Sequence, residues 1–253
     1  DTVSAVPDAL TLVGGAWFMR LALDSTNDRV LATGAIWNTD YPITDGSGVL
    51  IAGNRMRAPL FALDAASMSQ MQFSIALPET EWAPGLAVGI GSRVYVAGHA
   101  DSQGGVLAPV GPLGGDGDGF LIEIDGATGT LTRGLRIGGN GVDSCESVGV
   151  SASGAVYVAG QTLQVTGTPA ALLMPTSPQA LRRAPTAPAG RGKKSTATDA
   201  DVFLMRFEPS ALVLEYSTLL GGDGIEYGGS YSGDCLAVSG TRVVLFGRST
   251  SAN

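Results

Sequence analysis

The chain has 253 residues, 44% of them hydrophobic and 15% charged, with a formal net charge of −8. This composition excludes wholesale disorder, which needs low hydrophobicity and high charge, and the acidic balance argues against a broad nucleic-acid footprint or attraction to an anionic membrane. No run approaches the roughly 18 apolar residues that span a bilayer, so no membrane insertion is expected. Two cysteines and one histidine exclude four-thiolate zinc and multi-histidine metal centres, and no cofactor is implied. The N-terminus lacks a methionine and a basic-then-apolar leader pattern, and reads as that of a processed product or an excised piece.

The 37 glycines lack a collagen-like period and are spread among short apolar runs, which predicts many turns between strands. Taken from the N-terminus, Ala9–Gly15 reads as an outer strand closing on Gly-Gly. A hairpin follows, Leu21–Leu23 and Arg29–Gly34, and then a second, Pro59–Asp64 and Met71–Ile75. The alternation continues with Leu86–Val88 and Arg93–Gly98, Gly119–Asp125 and Leu131–Ile137, Val148–Val150 and Ala155–Gly160, Asp201–Phe207 and Leu212–Leu219, and Leu236–Val238 and Arg242–Gly247. Four of these hairpins end on a β-branched run closed by glycine. The anchor glycines Gly34, Gly98, Gly160 and Gly247 lie 64, 62 and 87 residues apart. About sixty residues per four short strands is the footprint of a propeller blade, and no helix is needed.

The residues Asp201-Val202-Phe203, Tyr216-Ser217-Thr218-Leu219-Leu220-Gly221-Gly222 and Arg248-Ser249-Thr250 resemble the β-propeller repeat family known as SBBP. Residues 119–162 match well, residues 58–100 more loosely, and Asn38–Pro42 is similar to the family's Ser-Thr-Asp-Phe-Pro ending. The resemblance implies an all-β propeller of about four four-stranded antiparallel blades in one domain, 1–253. It also implies a secreted or cell-surface setting, and it transfers no catalytic residue. The N-terminal strand is expected to pair into the last blade and close the ring, a fragment of a larger ring being the rival reading. The A–B and C–D turns are short and share one face, whereas the B–C and D–A connections are long and share the other, where binding is expected.

Residues 163–200 form a Pro-rich basic insertion expected to be flexible. Within it, Arg182, Arg183, Arg191, Lys193 and Lys194 are the candidate binding residues for an acidic partner, an anionic polysaccharide or the protein's own acidic face. Asp116-Gly117-Asp118-Gly119 resembles the opening of a calcium loop but lacks its further ligands. Asp143, Glu146, Asp223, Glu226 and Asp234 suit solvated loop carboxylates better than the alternative of a negative ring around the channel mouth. Cys145 and Cys235 precede equivalent strands with the same parity, and a disulfide between them is expected in a secreted protein. His99, with Asp101 two residues on, has no recognisable nucleophile and reads as a surface histidine. Trp17, Trp37 and Trp82 suit core or rim packing better than sugar stacking. These features point to a non-enzymatic extracellular or cell-surface module that binds a protein or glycan on its long-loop face, or serves as a scaffold in a larger surface assembly. The alternative is a carbohydrate-active hydrolase or lyase using acids at the channel mouth.

Overall fold

The computed structural model describes residues 16–37, 56–68, 70–100, 107–164, 169, 171, 173–183, 199–222, 225–228 and 235–250. The expected strand at Ala9–Gly15 and the Asn38–Pro42 motif lie outside them. The first sheet runs β1 (Ala16–Asp24), β2 (Arg29–Ile36), β3 (Pro59–Asp64) and β4 (Met71–Ala76), each antiparallel to the last. In the second, β5 (Thr80–Val88), β6 (Arg93–Ala100), β8 (Asp118–Asp125) and β9 (Thr130–Ile137) repeat that order, and β7 (Ala108–Val110) adds a fifth strand parallel to β9. The third comprises β10 (Val142–Val150), β11 (Val156–Gln164), β12 (Asp199–Phe207) and β13 (Leu214–Leu220). Last comes a split hairpin, in which β15 (Leu236–Ser239) pairs with β16 (Arg242–Leu245), and β14 (Glu226–Tyr227) with β17 (Arg248–Ser249). The described residues are thus all-β, with four- and five-stranded sheets, two short two-stranded pairs and a 3-10 turn at Ile90–Ser92. They trace no closed ring.

Alternation decides which side chains enter the core, because successive residues of a strand point to opposite faces. Leu31, Leu60, Phe73 and Ile75 of the first sheet meet Leu86, Val96, Phe120 and Ile122 of the second. The other face of the second sheet, with Tyr95, Leu121 and Ile137, packs on Val158, Phe203, Met205 and Phe207 of the third. Ala159 and Leu204 carry the sequence on to Cys235, Leu236 and Leu245. Each fully buried Leu, Ile or Phe contributes on the order of 1.5–3 kcal/mol, so the sheets are held mainly by these interlayer seams.

The short-turn end carries polar ties between neighbours. Arg29, at the start of β2, donates to the Gly126 carbonyl in the β8–β9 turn. Arg93, at the same place in β6, donates to the Pro209 carbonyl after β12, at 2.9 Å. Asn27 Nδ2 donates to Ser92 Oγ at 2.6 Å. Turn geometry follows from residues that accept positive φ, among them Asp28, Gly129 and Gly154.

The insertion after β11 is packed where it is described. Met174 is buried in the seam between the second and third sheets. The Ser177 N–H donates to the Ser217 carbonyl at 3.0 Å, and the Leu219 N–H to the Arg182 carbonyl at 3.1 Å, so residues 175–183 lie along the edge strand β13. The 107–113 segment, through β7, does the same for β9. Both cover sheet edges that would otherwise present unpaired backbone groups. This part of the insertion is not the solvated arm that its proline and charge content suggested.

Candidate functional site at the long-connection end

Four equivalent residue pairs define the end of the β1–β2, β5–β6, β10–β11 and split hairpins opposite the short turns. The residue after each anchor glycine pairs across the strand: Ala35 with Trp17, His99 with Trp82, Gln161 with Ser144, and Arg248 with Tyr227. The glycines themselves share one steric reason. A Cβ on Gly34, Gly98, Gly160 or Gly247 would collide with the backbone carbonyl of Trp17, Trp82, Ser144 or Tyr227 respectively. The backbone contact is therefore the same four times, while the side chains it carries differ in size, charge and hydrogen-bonding capacity.

One register further along, a hydrogen-bonding side chain clasps three of the sheet junctions. Thr80, opposite Ala100, accepts from the Ala58 N–H at 3.1 Å and donates to the Leu77 carbonyl at 2.8 Å. Asp143, opposite Thr162, accepts the Gly139 N–H through Oδ2 at 2.7 Å. Glu226, opposite Ser249, accepts the Gly222 N–H at 3.1 Å and the Ser249 hydroxyl at 2.7 Å. Each clasp satisfies backbone donors where the chain leaves one sheet and enters the next.

A second carboxylate stands beside each acidic clasp. Asp118 opens β8 and meets Arg136 Nε at 2.9 Å, with both side chains buried. Asp201, at the same register of β12, meets Arg182 at 3.8 Å. The space for a Cβ on Gly138 is taken by the Asp118 and Asp143 carboxylates, and that on Gly221 by those of Asp201 and Glu226. The Gly-Gly pair therefore lets two acids close on the backbone.

Burial governs the titration of these groups. Desolvation pushes Asp143 up to about 7, helped by the nearby Asp118 charge and opposed by its hydrogen bonds to Thr162 and Gly139. Asp118 is raised for the same first reason, with Arg136 pulling the other way. Burial also raises Glu146, whose Oε1 accepts the Ser144 hydroxyl. The expectation of solvated loop acids is therefore corrected at Asp143, Glu146 and Glu226, which are buried on strands. Asp223 and Asp234 lie outside the described residues.

His99 is buried rather than on the surface, 6% exposed. Its Nδ1 lies 3.1 Å from Glu81 Oε2, and its ring stacks on Trp82 with centroids 4.2 Å apart and planes 6° from parallel. Glu81 is the acidic partner that sequence reasoning missed, having looked to Asp101, which lies outside the described residues. Trp17 and Trp37 meet edge-on at 5.3 Å.

Cys145 and Cys235 are free buried thiols, so the expected disulfide is not formed. Desolvation pushes Cys235 to about 12 and Cys145 well above the ordinary thiol range, with Glu146 adding to both, which disfavours the reactive thiolate. Among the basic candidates, Arg182 is held by Asp201 and by the Gly221 carbonyl, and Arg183 by the Pro178 carbonyl. Arg191, Lys193 and Lys194 lie outside the described residues. Asp116 is exposed while Asp118 is turned to Arg136, and no cluster of three candidate metal ligands occurs among the described residues.

A cleft of about 320 Å³ opens at the third junction between β12, β13 and the split hairpin. Comparison with models of known protein families and with curated protein sequences gave no match.

Proposed function

We propose that the chain is a non-enzymatic extracellular or cell-surface β-propeller module, of the kind its SBBP-like motifs suggest, that binds a protein or glycan at the long-connection end. The observation that carries this reading is the fourfold recurrence of one backbone with four different residue pairs, Trp17–Ala35, Trp82–His99, Ser144–Gln161 and Tyr227–Arg248, of which Trp17, Tyr227 and Arg248 are exposed. A rigid frame with chemically varied positions at one end suits recognition. The buried acids are committed to that frame: Asp143 and Glu226 to backbone N–H groups, and Asp118 to Arg136. In this reading the four units form a ring, with the N-terminal residues supplying an outer strand to the last blade, and the cations of the 163–200 insertion add a contact at the rim.

Affinity capture from an extracellular or surface fraction tests it, with the intact chain beside one whose residues 184–198 are replaced by a Gly-Ser linker of equal length. Recovery of one partner by both forms supports the rigid end as the site, and loss on replacement supports the insertion. Failure of both forms to retain any protein or glycan contradicts the binding reading.

A further inference from the structure

We infer that the cleft at the third junction binds a carboxylate-bearing sugar residue, with Arg248 as its anion anchor. This rests on the reading of the long-connection end as a binding face, and it names the ligand class for one part of it.

The cleft exists because the last hairpin departs from the repeat. In the third sheet the strand after the anchor register runs without a break from Val156 to Gln164 and is covered along its length by β12. In the last hairpin the same strand is divided into β16 and β17, and its partner into β14 and β15. Phe246 and Gly247 lie between β16 and β17, the Phe246 N–H donating to the Cys235 carbonyl at 2.9 Å, and a space of about 320 Å³ opens beside them against Val202 and Leu220. That volume suits one sugar ring with room for part of a second, and it lies at the small end of ordinary ligand sites.

Its lining has the composition a sugar acid requires. Tyr227 and Phe246, 37% and 55% exposed, offer aromatic surface for the C–H face of a pyranose. The exposed Arg248 guanidinium lines the same space, and no carboxylate among the described residues is paired with it, because Glu226 is engaged by Gly222 and Ser249. Gln161 occupies the equivalent position in the third sheet and His99 that in the second, so the cation is particular to this unit. An unpaired guanidinium calls for a planar anion, which it can hold through two parallel N–H···O bonds.

The test is titration calorimetry of the whole chain with galacturonate and glucuronate, each beside its neutral counterpart, galactose or glucose. A uronate is expected to bind at least tenfold more tightly than its neutral counterpart, with Arg248→Gln removing that preference and Tyr227→Ala weakening binding several-fold. Arg242→Gln, at the exposed far end of the same hairpin, is expected to stay within twofold of wild type, and near-UV circular dichroism checks that each variant is folded. Equal binding of neutral sugars, an unchanged uronate preference in Arg248→Gln, or no uronate binding overturns the inference. A partner captured equally by wild type and Arg248→Gln, with no uronate bound, would overturn only this ligand assignment and leave the general binding reading standing.

Discussion

The second and third sheets place the same acid at the same register and neutralise it from different sources. In the second, Asp118 faces Arg136 on the adjacent strand, in the cross-strand position of Phe120. In the third, Leu219 occupies that position opposite Phe203, and the counter-charge comes from Arg182, which the 163–200 insertion lays over the edge of β13. One pair is buried at 2.9 Å, whereas the other is 3.8 Å long with a quarter of the arginine exposed. The comparison shows that an insertion can take over the role of a residue lost from the repeat, and that charge in a connection need not be aimed at a partner.

Breaking the two pairs separately gives the largest expected contrast. Arg136→Gln leaves the Asp118 carboxylate buried without its cation and should cost about 3 kcal/mol at pH 7, as buried pairs do when one member is removed. The equivalent Arg182→Gln should cost about 1 kcal/mol or less, since solvent screens the longer pair. Chemical denaturation of both variants measures the difference. Lowering the pH should narrow it, because protonation of Asp118 removes the uncompensated charge.

Gly160→Ala tests the frame shared by all units. The new methyl would strike the Ser144 carbonyl and the Phe203 ring, at an expected cost of about 1–3 kcal/mol. By contrast Gly91→Ala, where φ is +67° and no atom lies within 4 Å of the added carbon, should cost about 1 kcal/mol through backbone conformation alone. Thermal unfolding of the pair separates steric from conformational glycines.

The junction clasps sharpen the comparison through pH. Asp143 is raised by burial from 3.8 to about 7, so between those values the folded chain holds a proton that the unfolded chain has released. Stability contributed at this site is therefore full below about pH 4, falls as pH rises towards 7, and levels off above it. The whole effect is bounded by about 4 kcal/mol, from the size of the shift. Asp143→Asn, neutral throughout and still able to accept the Gly139 N–H, should flatten that slope. Thr80→Ala at the first junction should lower stability by about 1–2 kcal/mol without changing the slope, because its clasp carries no titratable group. Denaturation midpoints from pH 4.5 to 8 check both.

Strand positions were legible in the sequence because β-branched alternation and Gly-rich turns are local signals. Arg29–Gly34, Pro59–Asp64 and Arg93–Gly98 all fall within observed strands. The residues beyond them were not. Val142–Ser147 reads as a polar connection but forms the first part of β10, because its acids are satisfied by Thr162 and Gln161 on the opposing strand as well as by the nearby Gly139 and Ser144. β7 and the Ser177–Ser217 contact depend on pairing with distant edges, which neither segment's composition announces. Cys145 and Cys235 were expected just before equivalent strands, but Cys145 lies within β10 while Cys235 immediately precedes β15, and strand parity cannot fix the separation a disulfide demands. The Tyr227–Arg248 cleft was hidden for a related reason. It lies beside Phe246 and Gly247, where the pairing of a run that the sequence presents as continuous is divided between β16 and β17.

The most direct test of the account is amide hydrogen exchange across the insertion and β13 in the intact chain. If the insertion is part of the frame, the Ser177 and Leu219 N–H groups, bonded to the Ser217 and Arg182 carbonyls, will be protected as strongly as the interior of β12. Exchange of Ser177 and Leu219 at the rate of an unstructured peptide would contradict it and return Arg182 to the set of free binding cations.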